Sequence, residues 1–237
     1  MIRGEVTTKD DRNTAVVTGA SRGIGRAVAL RLGTTHHIVA IARSRPELET
    51  LAGDIRSGGG SCDTIGLDVT DAKGVARALD GVRADVLVNN AGVGYMKPLL
   101  ELTSDEWSEM VDVNFNALFH VTRAVLPGMV ERGRGHIVMV GSIAGRSAFV
   151  GGSCYAATKH AVMGFSESLM LEVRDKGVKV SVVNPGSVAT SFSRRERDTS
   201  WMLTADDVAE AVVHAIDTPP RVLVHRIEVR AAVPKKG

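Results

Sequence analysis

Cysteine is scarce in this chain, which has Cys62 and Cys154 as its two cysteines among 237 residues. Two cysteines are too few for a disulfide framework, and neither stands in the Cys/His spacing that is typical of metal sites. The sequence therefore supports neither a disulfide-rich secreted scaffold nor a bound metal. We expect a protein of the reducing cytoplasm.

An excess of charge of one sign and long apolar runs are also missing. The chain has 29 Lys and Arg against 27 Asp and Glu, a formal net charge of +2, whereas nucleic-acid binders usually carry a strong basic patch. No stretch approaches the ~18 apolar residues that would cross a bilayer, and the N-terminus has no apolar signal segment. We expect no nucleic acid or membrane partner, and we interpret residues 1–12 as a polar tail.

Strand-like and helix-like segments alternate along the rest of the chain. The pattern predicts strands at 14–18, 37–42, 63–67, 85–89, 136–140 and 178–183, and helices near 23–33, 45–57, 71–80, 104–131 and 153–176. We therefore predict an α/β fold over residues 13–237: a single-domain, doubly wound parallel sheet of Rossmann type with helices on both faces. Asn89, Ser142 and Pro185 follow strand ends, so we expect them in one crevice.

A glycine turn follows the first predicted strand. Thr14-Ala-Val-Val-Thr18 leads into Gly19-Ala-Ser-Arg-Gly23-Ile-Gly25 and then into an amphipathic helix. Backbone amides at such a turn, with the helix N-terminus behind them, hold a pyrophosphate well. Because the spacing is GxxxGxG and not GxGxxG, mechanism rather than pattern supports a dinucleotide site. The alternative is a glycine turn without a ligand.

Tyr155 and Lys159 are four residues apart in a segment whose apolar residues recur at helical spacing. Their side chains should therefore share one helix face. A phenol ionises near pH ~10, so acid–base work near neutral pH needs a stabilised anion, and the ammonium group one turn away supplies positive charge. With Ser142, thirteen residues earlier, these groups suit proton transfer to a carbonyl.

Six ordered motifs together resemble the classical short-chain dehydrogenase/reductase family, and the resemblance covers about residues 12 to 230. The motifs are Thr18-Gly19-xxx-Gly23-Ile-Gly25, Asn89-Asn90-Ala91-Gly92, Asn114, Ser142, Tyr155-xxx-Lys159 and Pro185-Gly186. The resemblance implies a hydride transfer between a nicotinamide cofactor and a carbonyl carbon.

The resemblance also implies a role for each catalytic residue. Tyr155 would be the general acid in reduction and the base in oxidation, and Ser142 would bond the same substrate oxygen. Lys159 would lower the phenol pKa and hold the nicotinamide ribose, while Asn114 would position a water that passes protons onward. The alternatives are that Ser142 only caps a loop and that Asn114 only bridges helix backbone.

The same resemblance implies a set of cofactor-binding residues in the glycine turn, near the adenine and near the nicotinamide. They are Gly19, Ser21, Arg22, Gly23, Ile24, Arg43, Asp68, Val69, Asn90, Ala91, Gly92, Tyr155, Lys159, Pro185, Gly186, Val188 and Thr190. Within this set Asp68 would accept a bond from the adenine amino group. The alternative for Asp68 is a helix or turn cap.

Charge after the second predicted strand favours NADP(H) over NAD(H). NAD sites usually place an Asp or Glu about 20 residues beyond the glycines, but this region reads Ile41-Ala42-Arg43-Ser44-Arg45. Guanidinium groups bind a 2′-phosphate through paired donors, and Arg22 is placed to join Arg43. The alternative is that Arg43 and Arg45 are solvated residues at a helix start.

The substrate is less well defined by the sequence. Only about seventeen residues, 187–203, separate Pro185-Gly186 from the helix that Thr204 opens, so the expected substrate is a small to medium, partly apolar carbonyl or secondary alcohol. Candidate pocket residues are Met96, Phe149, Val150, Phe192 and Trp201, the last two being equally typical of ordinary packing. The basic run Arg194-Arg195-Glu196-Arg197 would attract an anionic substrate or acidic carrier protein, or is a solvated loop.

The C-terminal segment weakens one alternative function. Family members that resemble 3-oxoacyl thioester reductases usually end in a Val-Asp-Gly-Gly-like segment, which residues 222–234 lack; the ending is more similar to enzymes of 3-hydroxy acids, serine-like alcohols or small carbonyls. Acyl carrier protein thioester reduction stays an alternative, as does a catalytically idle dinucleotide sensor or scaffold. The resemblance also implies a homo-oligomer, dimer or tetramer, through the helices at 104–131 and 153–176.

Overall fold

One parallel sheet organises the chain in the computed structural model, which describes residues 12–190, 192 and 198–233. Its seven strands lie in the order β3-β2-β1-β4-β5-β6-β7, and every neighbouring pair is parallel. The strands are β1 (Thr14–Thr18), β2 (His37–Ala42), β3 (Ser61–Gly66), β4 (Val86–Asn89), β5 (Gly135–Val140), β6 (Val178–Pro185) and β7 (Arg226–Val229). The predicted fold class is confirmed.

Helices cover both faces of this sheet. They are α1 (Gly23–Leu32), α2 (Arg45–Ser57), α3 (Ala72–Ala78), α4 (Ser104–Val111), α5 (Ala117–Glu131), α6 (Ser153–Val173) and α7 (Ala205–Ile216). Successive strand residues point to opposite faces, so Ala15 and Val17 pack with α1, α2 and α7, while Val16 packs with α3, α5 and α6. Burial on both faces explains the continuous apolar strands.

Several elements differ from the prediction, and β6, for example, ends at Pro185, two residues after the predicted end at 183. The helix predicted over 104–131 is interrupted by a π-helical turn at Asp112–Asn116, which separates α4 from α5. Strand β3 begins at Ser61, two residues before the predicted start, because it pairs with β2 from His37 onward. Strand β7 had no predicted counterpart, since its half-exposed residues at the sheet edge show no continuous apolar run.

Some predictions fall on other parts of the chain. Residues 1–11 and the basic run at 194–197 lie outside the described residues, so the tail boundary and the role of the run stay predictions. Helix α7 begins as predicted after Thr204, which forms a capping box with Asp207. Within the described ranges, no helix has the length and apolar character needed to cross a bilayer.

Candidate active site

The carboxyl ends of the central strands bring the predicted site residues to one edge of the sheet. Strands β1, β4, β5 and β6 are consecutive neighbours, so the segments that follow Thr18, Asn89, Val140 and Pro185 meet there. Carboxyl edges of parallel sheets are where ligands bind in doubly wound folds. Helix α6 packs on the same sheet and adds the residues at 155 and 159.

The glycine turn after β1 lies very close to the backbone of the segment that follows β4. Gly19 has φ +65°, and a Cβ added there would lie 2.9 Å from Ala91 Cα, so a side chain would be both strained and crowded. Helix α1 then begins without a side-chain cap at Arg22 and without an acidic residue in its first turn. Its N-terminal amides therefore suit the phosphate groups of a dinucleotide.

Thr18 is a site residue to which the sequence had assigned no role. Its Oγ1 accepts the backbone N–H groups of Asn90 and Ala91 at 3.0 and 3.1 Å and donates to Val88 O at 3.4 Å. The side-chain Nδ2 of Asn90 in turn donates to Thr18 O at 2.9 Å and Gly19 O at 3.3 Å. These bonds fix the segment after β4 against the glycine turn.

Ser142 follows β5 and is buried. Its Oγ accepts the Ala144 N–H at 3.1 Å and so caps the short 3₁₀ turn Ile143–Gly145. A hydroxyl has one donor and two acceptor positions, so this cap leaves its proton available. The loop-cap alternative therefore describes one of its bonds without excluding a role toward a ligand oxygen.

Lys159 lies under the Tyr155 ring, on the same face of α6 as predicted. Its Nζ is 5.8 Å from the ring centroid and donates to Val140 O at 3.0 Å. The side chain is buried, and this burial lowers the pKa of the ammonium to about 8. Lys159 therefore loses its positive charge at a lower pH than a surface lysine does.

The phenol of Tyr155 is partly buried beside Ser142. Burial raises the pKa of Tyr155, and the hydrogen-bonding interaction with Ser142 opposes this rise. Burial disfavours the phenolate because the anion would lose its hydration. The lowering of this pKa by Lys159 that the resemblance implies stays a prediction.

Asn114 lies in the π-helical turn and is buried. Its Oδ1 accepts the Val93 N–H at 2.8 Å, and its Nδ2 donates to Val93 O at 3.0 Å and to Thr158 Oγ1 at 3.2 Å. The side chain therefore ties the loop after β4 to α6, and its partners are not the helix backbone of the alternative. A cavity of about 10 Å³ is lined by Asn114 and Lys159 together with Thr18 and Asn89, which is the lower limit of the space that one water needs.

The predicted adenine end has two exposed arginines, Arg43 and Arg45, and a turn cap at Asp68. Asp68 Oδ1 accepts from the backbone and hydroxyl of Thr70, at 3.0 and 2.8 Å, so Asp68 does cap a turn. Its other oxygen, Oδ2, is 3.9 Å from Arg43 Nη1, and the Arg43 side chain is 63% exposed. Arg45 instead lies against Gly66, where an added Cβ would meet its side chain at 2.6 Å. Arg43 is therefore the better placed guanidinium for a ligand.

The segment after β6 folds back over the glycine turn. Gly186 donates to Val229 O at 2.8 Å, and Val188 forms a bridge with Leu203. Thr190 then lies against the turn, since a Cβ added to Gly23 would be 3.5 Å from Thr190 Cγ2. These contacts place the predicted nicotinamide residues beside the predicted phosphate residues.

One of the candidate pocket residues, Phe192, reaches the tyrosine, and Met96 lies near Phe192. The Phe192 ring is 5.8 Å from the Tyr155 ring at 58°, and the space over Gly94 is bordered by Phe192 and Met96. Trp201 donates its ring N–H to Asp198 O at 3.1 Å, and Val150 is 98% exposed. Phe192 therefore presents an apolar ring beside the phenol.

Comparison with known proteins agrees with this geometry. The family model described as short chain dehydrogenase matches residues 13–201. The chain is 34% identical over 233 residues to an NADP-dependent 3-hydroxy acid dehydrogenase of Salmonella typhi, covering 90% of this chain and 93% of the relative. It is 35% identical over 190 residues to a 3-oxoacyl-[acyl-carrier-protein] reductase of Salmonella typhimurium, covering 78% and 77%. A metagenomic short-chain oxidoreductase solved in complex with NADP superposes with a TM-score of 0.83 at 33% identity, covering 94% and 98%.

Proposed function

Because this chain belongs to the short-chain dehydrogenase family and is an NADP(H)-dependent oxidoreductase, we propose that it reduces a small to medium carbonyl compound or oxidises the corresponding secondary alcohol. The observation that carries the proposal is the convergence of Ser142, Tyr155 and Lys159 at the carboxyl edge of the sheet. NADPH would supply the hydride and the protein would supply the proton.

The protonated form of the Tyr155 phenol supports carbonyl reduction more than alcohol oxidation. An ordinary phenol is already protonated near neutral pH, and the burial of Tyr155 favours the same form, which is the form that a general acid needs. Ser142 retains a hydroxyl proton for the same substrate oxygen, and the positive charge of Lys159 favours the phenolate that is left behind. Oxidation would need the phenolate first, so it should require a higher pH.

The Phe192 ring beside Tyr155 supports a substrate with an apolar part, and we infer one of the 3-oxo or 3-hydroxy acid or ester type. Phe192 and Met96 would contact its apolar part, and the Salmonella typhi relative is named for 3-hydroxy acids. A 3-oxoacyl thioester is the second candidate, favoured by the 35% identity to the carrier-protein reductase.

A dinucleotide sensor without turnover is the candidate of another class. Such a protein needs the glycine turn but has no use for a phenol and an ammonium group on one helix face. Here Ser142 interacts with Tyr155, Lys159 lies 5.8 Å from the centre of its ring, and Asn114 lines the same cavity as Lys159, and this favours the enzyme.

We propose in addition that the protein is a homo-oligomer. Large apolar side chains are exposed on the helices that the resemblance assigns to a subunit interface: Trp107 on α4, Phe119 on α5 and Leu171 on α6, with 42, 44 and 56% of each exposed. Such exposure on neighbouring helices is typical of an interaction surface. A cytoplasmic location stays a prediction.

The test is NADPH oxidation over a panel of small ketones, diketones, 3-oxo esters and 3-oxoacyl thioesters. The decisive variant is Tyr155→Phe, which removes one hydroxyl and should lower kcat by about 10²- to 10⁴-fold while NADPH still binds. The chain offers a matched control in Tyr95→Phe, because Tyr95 is the other of two tyrosines and donates to Glu109.

The outcomes separate the candidates. Turnover that Tyr155→Phe abolishes and Tyr95→Phe preserves would establish the reductase, and the ranking of the panel would choose between free 3-oxo compounds and thioesters. Tight NADPH binding without turnover of any compound would favour the sensor instead.

A further inference from the structure

Asn184 is a buried polar residue that none of the roles above uses. It is the penultimate residue of β6, directly before Pro185, and 1% of it is exposed. Its Oδ1 accepts the backbone N–H of Ser142 at 3.2 Å. One side chain of β6 thus holds a residue that comes 42 positions earlier in the sequence.

The bond replaces sheet pairing at the point where the ladder stops. Gly141 N–H still donates to Val183 O at 2.8 Å, but the β5–β6 register ends at Val140 and Val183. Ser142 lies beyond it, in extended conformation with φ −169° and ψ 157°. A buried N–H needs an acceptor, and the Asn184 amide provides it from the side chain.

The space around this amide is closed. A Cβ added to Gly141 would overlap Asn184 Oδ1 and would lie 3.0 Å from Val182 Cγ1. The glycine before the serine therefore lets the amide oxygen reach the Ser142 N–H. Gly141, Ser142 and Asn184 form one packed unit.

The side-chain nitrogen of Asn184 shows that the oxygen, not the nitrogen, makes the bond to Ser142. Nδ2 of Asn184 is buried and has no hydrogen-bond partner within the described part of the chain. Turning the amide over would set its N–H₂ group against the Ser142 N–H, two donors facing each other, so the orientation is fixed. Burying the Asn184 Nδ2 donor without an acceptor destabilises the folded state. The bond that Asn184 Oδ1 accepts from Ser142 offsets this cost.

We propose that Asn184 is a positioning residue that fixes Ser142 for catalysis by accepting its backbone N–H. This inference rests on the proposed function of Ser142. Release of the bond lets the serine backbone leave its extended conformation, so the hydroxyl loses its place beside the Tyr155 phenol. A displacement of about 1 Å at a reacting group costs up to about 100-fold in rate.

Two substitutions at this position separate the bond from simple packing. Asn184→Leu is close in size and has no acceptor, so kcat for carbonyl reduction should fall about 10- to 100-fold with the Kd for NADPH unchanged within about twofold. Asn184→Asp keeps an accepting oxygen. Because it is nearly the same size and can still accept the Ser142 N–H, this variant should retain most of the turnover.

Ser181→Ala is the matched control for lost stability. Ser181 is also fully buried on β6, and its hydroxyl donates to Val224 O at 2.6 Å, away from the site. It should lower Tm as Asn184→Leu does and leave kcat unchanged. Equal kcat losses in the two variants, or wild-type kcat in Asn184→Leu, would overturn the proposal.

A second readout does not depend on turnover. In a Tyr95→Phe background Tyr155 is the sole tyrosine, so alkaline titration of tyrosinate absorbance reports its pKa directly, with circular dichroism monitoring the fold. Because the interaction with Ser142 lowers that pKa, Asn184→Leu should raise it and Ser181→Ala should not. An unshifted titration would refute the positioning role, while a raised pKa in a protein without turnover would place the failure in the proposed function alone.

Discussion

Arg43 should decide the preference between NADPH and NADH, and the structure allows the size of the effect to be estimated. Its side chain is 63% exposed, and Asp68 at 3.9 Å is the one acidic partner that the described residues offer it. Truncation to alanine therefore removes little packing. It would remove charge-assisted hydrogen bonds to a 2′-phosphate, worth about 2–3 kcal/mol together, which corresponds to a rise in KM for NADPH of about 30- to 150-fold.

The assay is steady-state oxidation of both cofactors with one carbonyl substrate at fixed ionic strength. Arg134→Ala is a matched control, because Arg134 is 57% exposed and pairs with Asp85 at 3.3 Å at the opposite, amino end of the strands. Arg43→Ala should weaken NADPH and leave the KM for NADH nearly unchanged, and Arg134→Ala should change neither. Equal losses for the two cofactors in Arg43→Ala would refute the 2′-phosphate contact.

Three further predictions concern the cofactor site and the assembly. Burial lowers the pKa of Lys159 to about 8, so its positive charge is lost as pH rises through that value. The affinity for NADPH, measured by fluorescence, should therefore fall above about pH 8. The Lys159→Met variant should bind NADPH weakly and without this pH dependence. Gly19→Ala places a Cβ at φ +65° and 2.9 Å from Ala91 Cα, so it should destabilise the fold by about 1–3 kcal/mol and weaken NADPH at least tenfold, whereas Gly53→Ala, with nothing within 4 Å, should do neither. Phe119→Glu should shift the protein to a smaller species in size-exclusion chromatography with light scattering, and an unchanged mass would exclude α5 from the interface.

The sequence predicted the sheet well where strands are covered on both faces. Strands β1 and β2 match the predicted 14–18 and 37–42 because every residue in them is buried, so the apolar run and the strand coincide. Strand β7 is half exposed and sits at the edge, where no apolar run is required. The π-helical turn at Asp112–Asn116 also has no local signal, because its residues continue a helical pattern on both sides.

For the site, the linear motifs were predictable and the bonds between them were not. The spacing of Tyr155 and Lys159 on one helix follows from helical geometry alone. By contrast, the contacts of Asn114 with Thr158 and of Ser142 with Asn184 join residues 44 and 42 positions apart. No periodicity encodes such pairs, because they depend on which strand ends become neighbours.

The hydrogen bonds that hold the site residues within this one chain affect how the enzyme binds its ligands and reacts. Ser142, Lys159 and Asn114 each have a protein partner already in the protein alone, namely Ala144 N, Val140 O and the Val93 backbone. A site held in this way needs little rearrangement to receive its ligands, so the ordering cost is met during folding. Substitutions in the positioning bonds should therefore act on kcat, and substitutions in the glycine turn or at position 43 should act on cofactor binding.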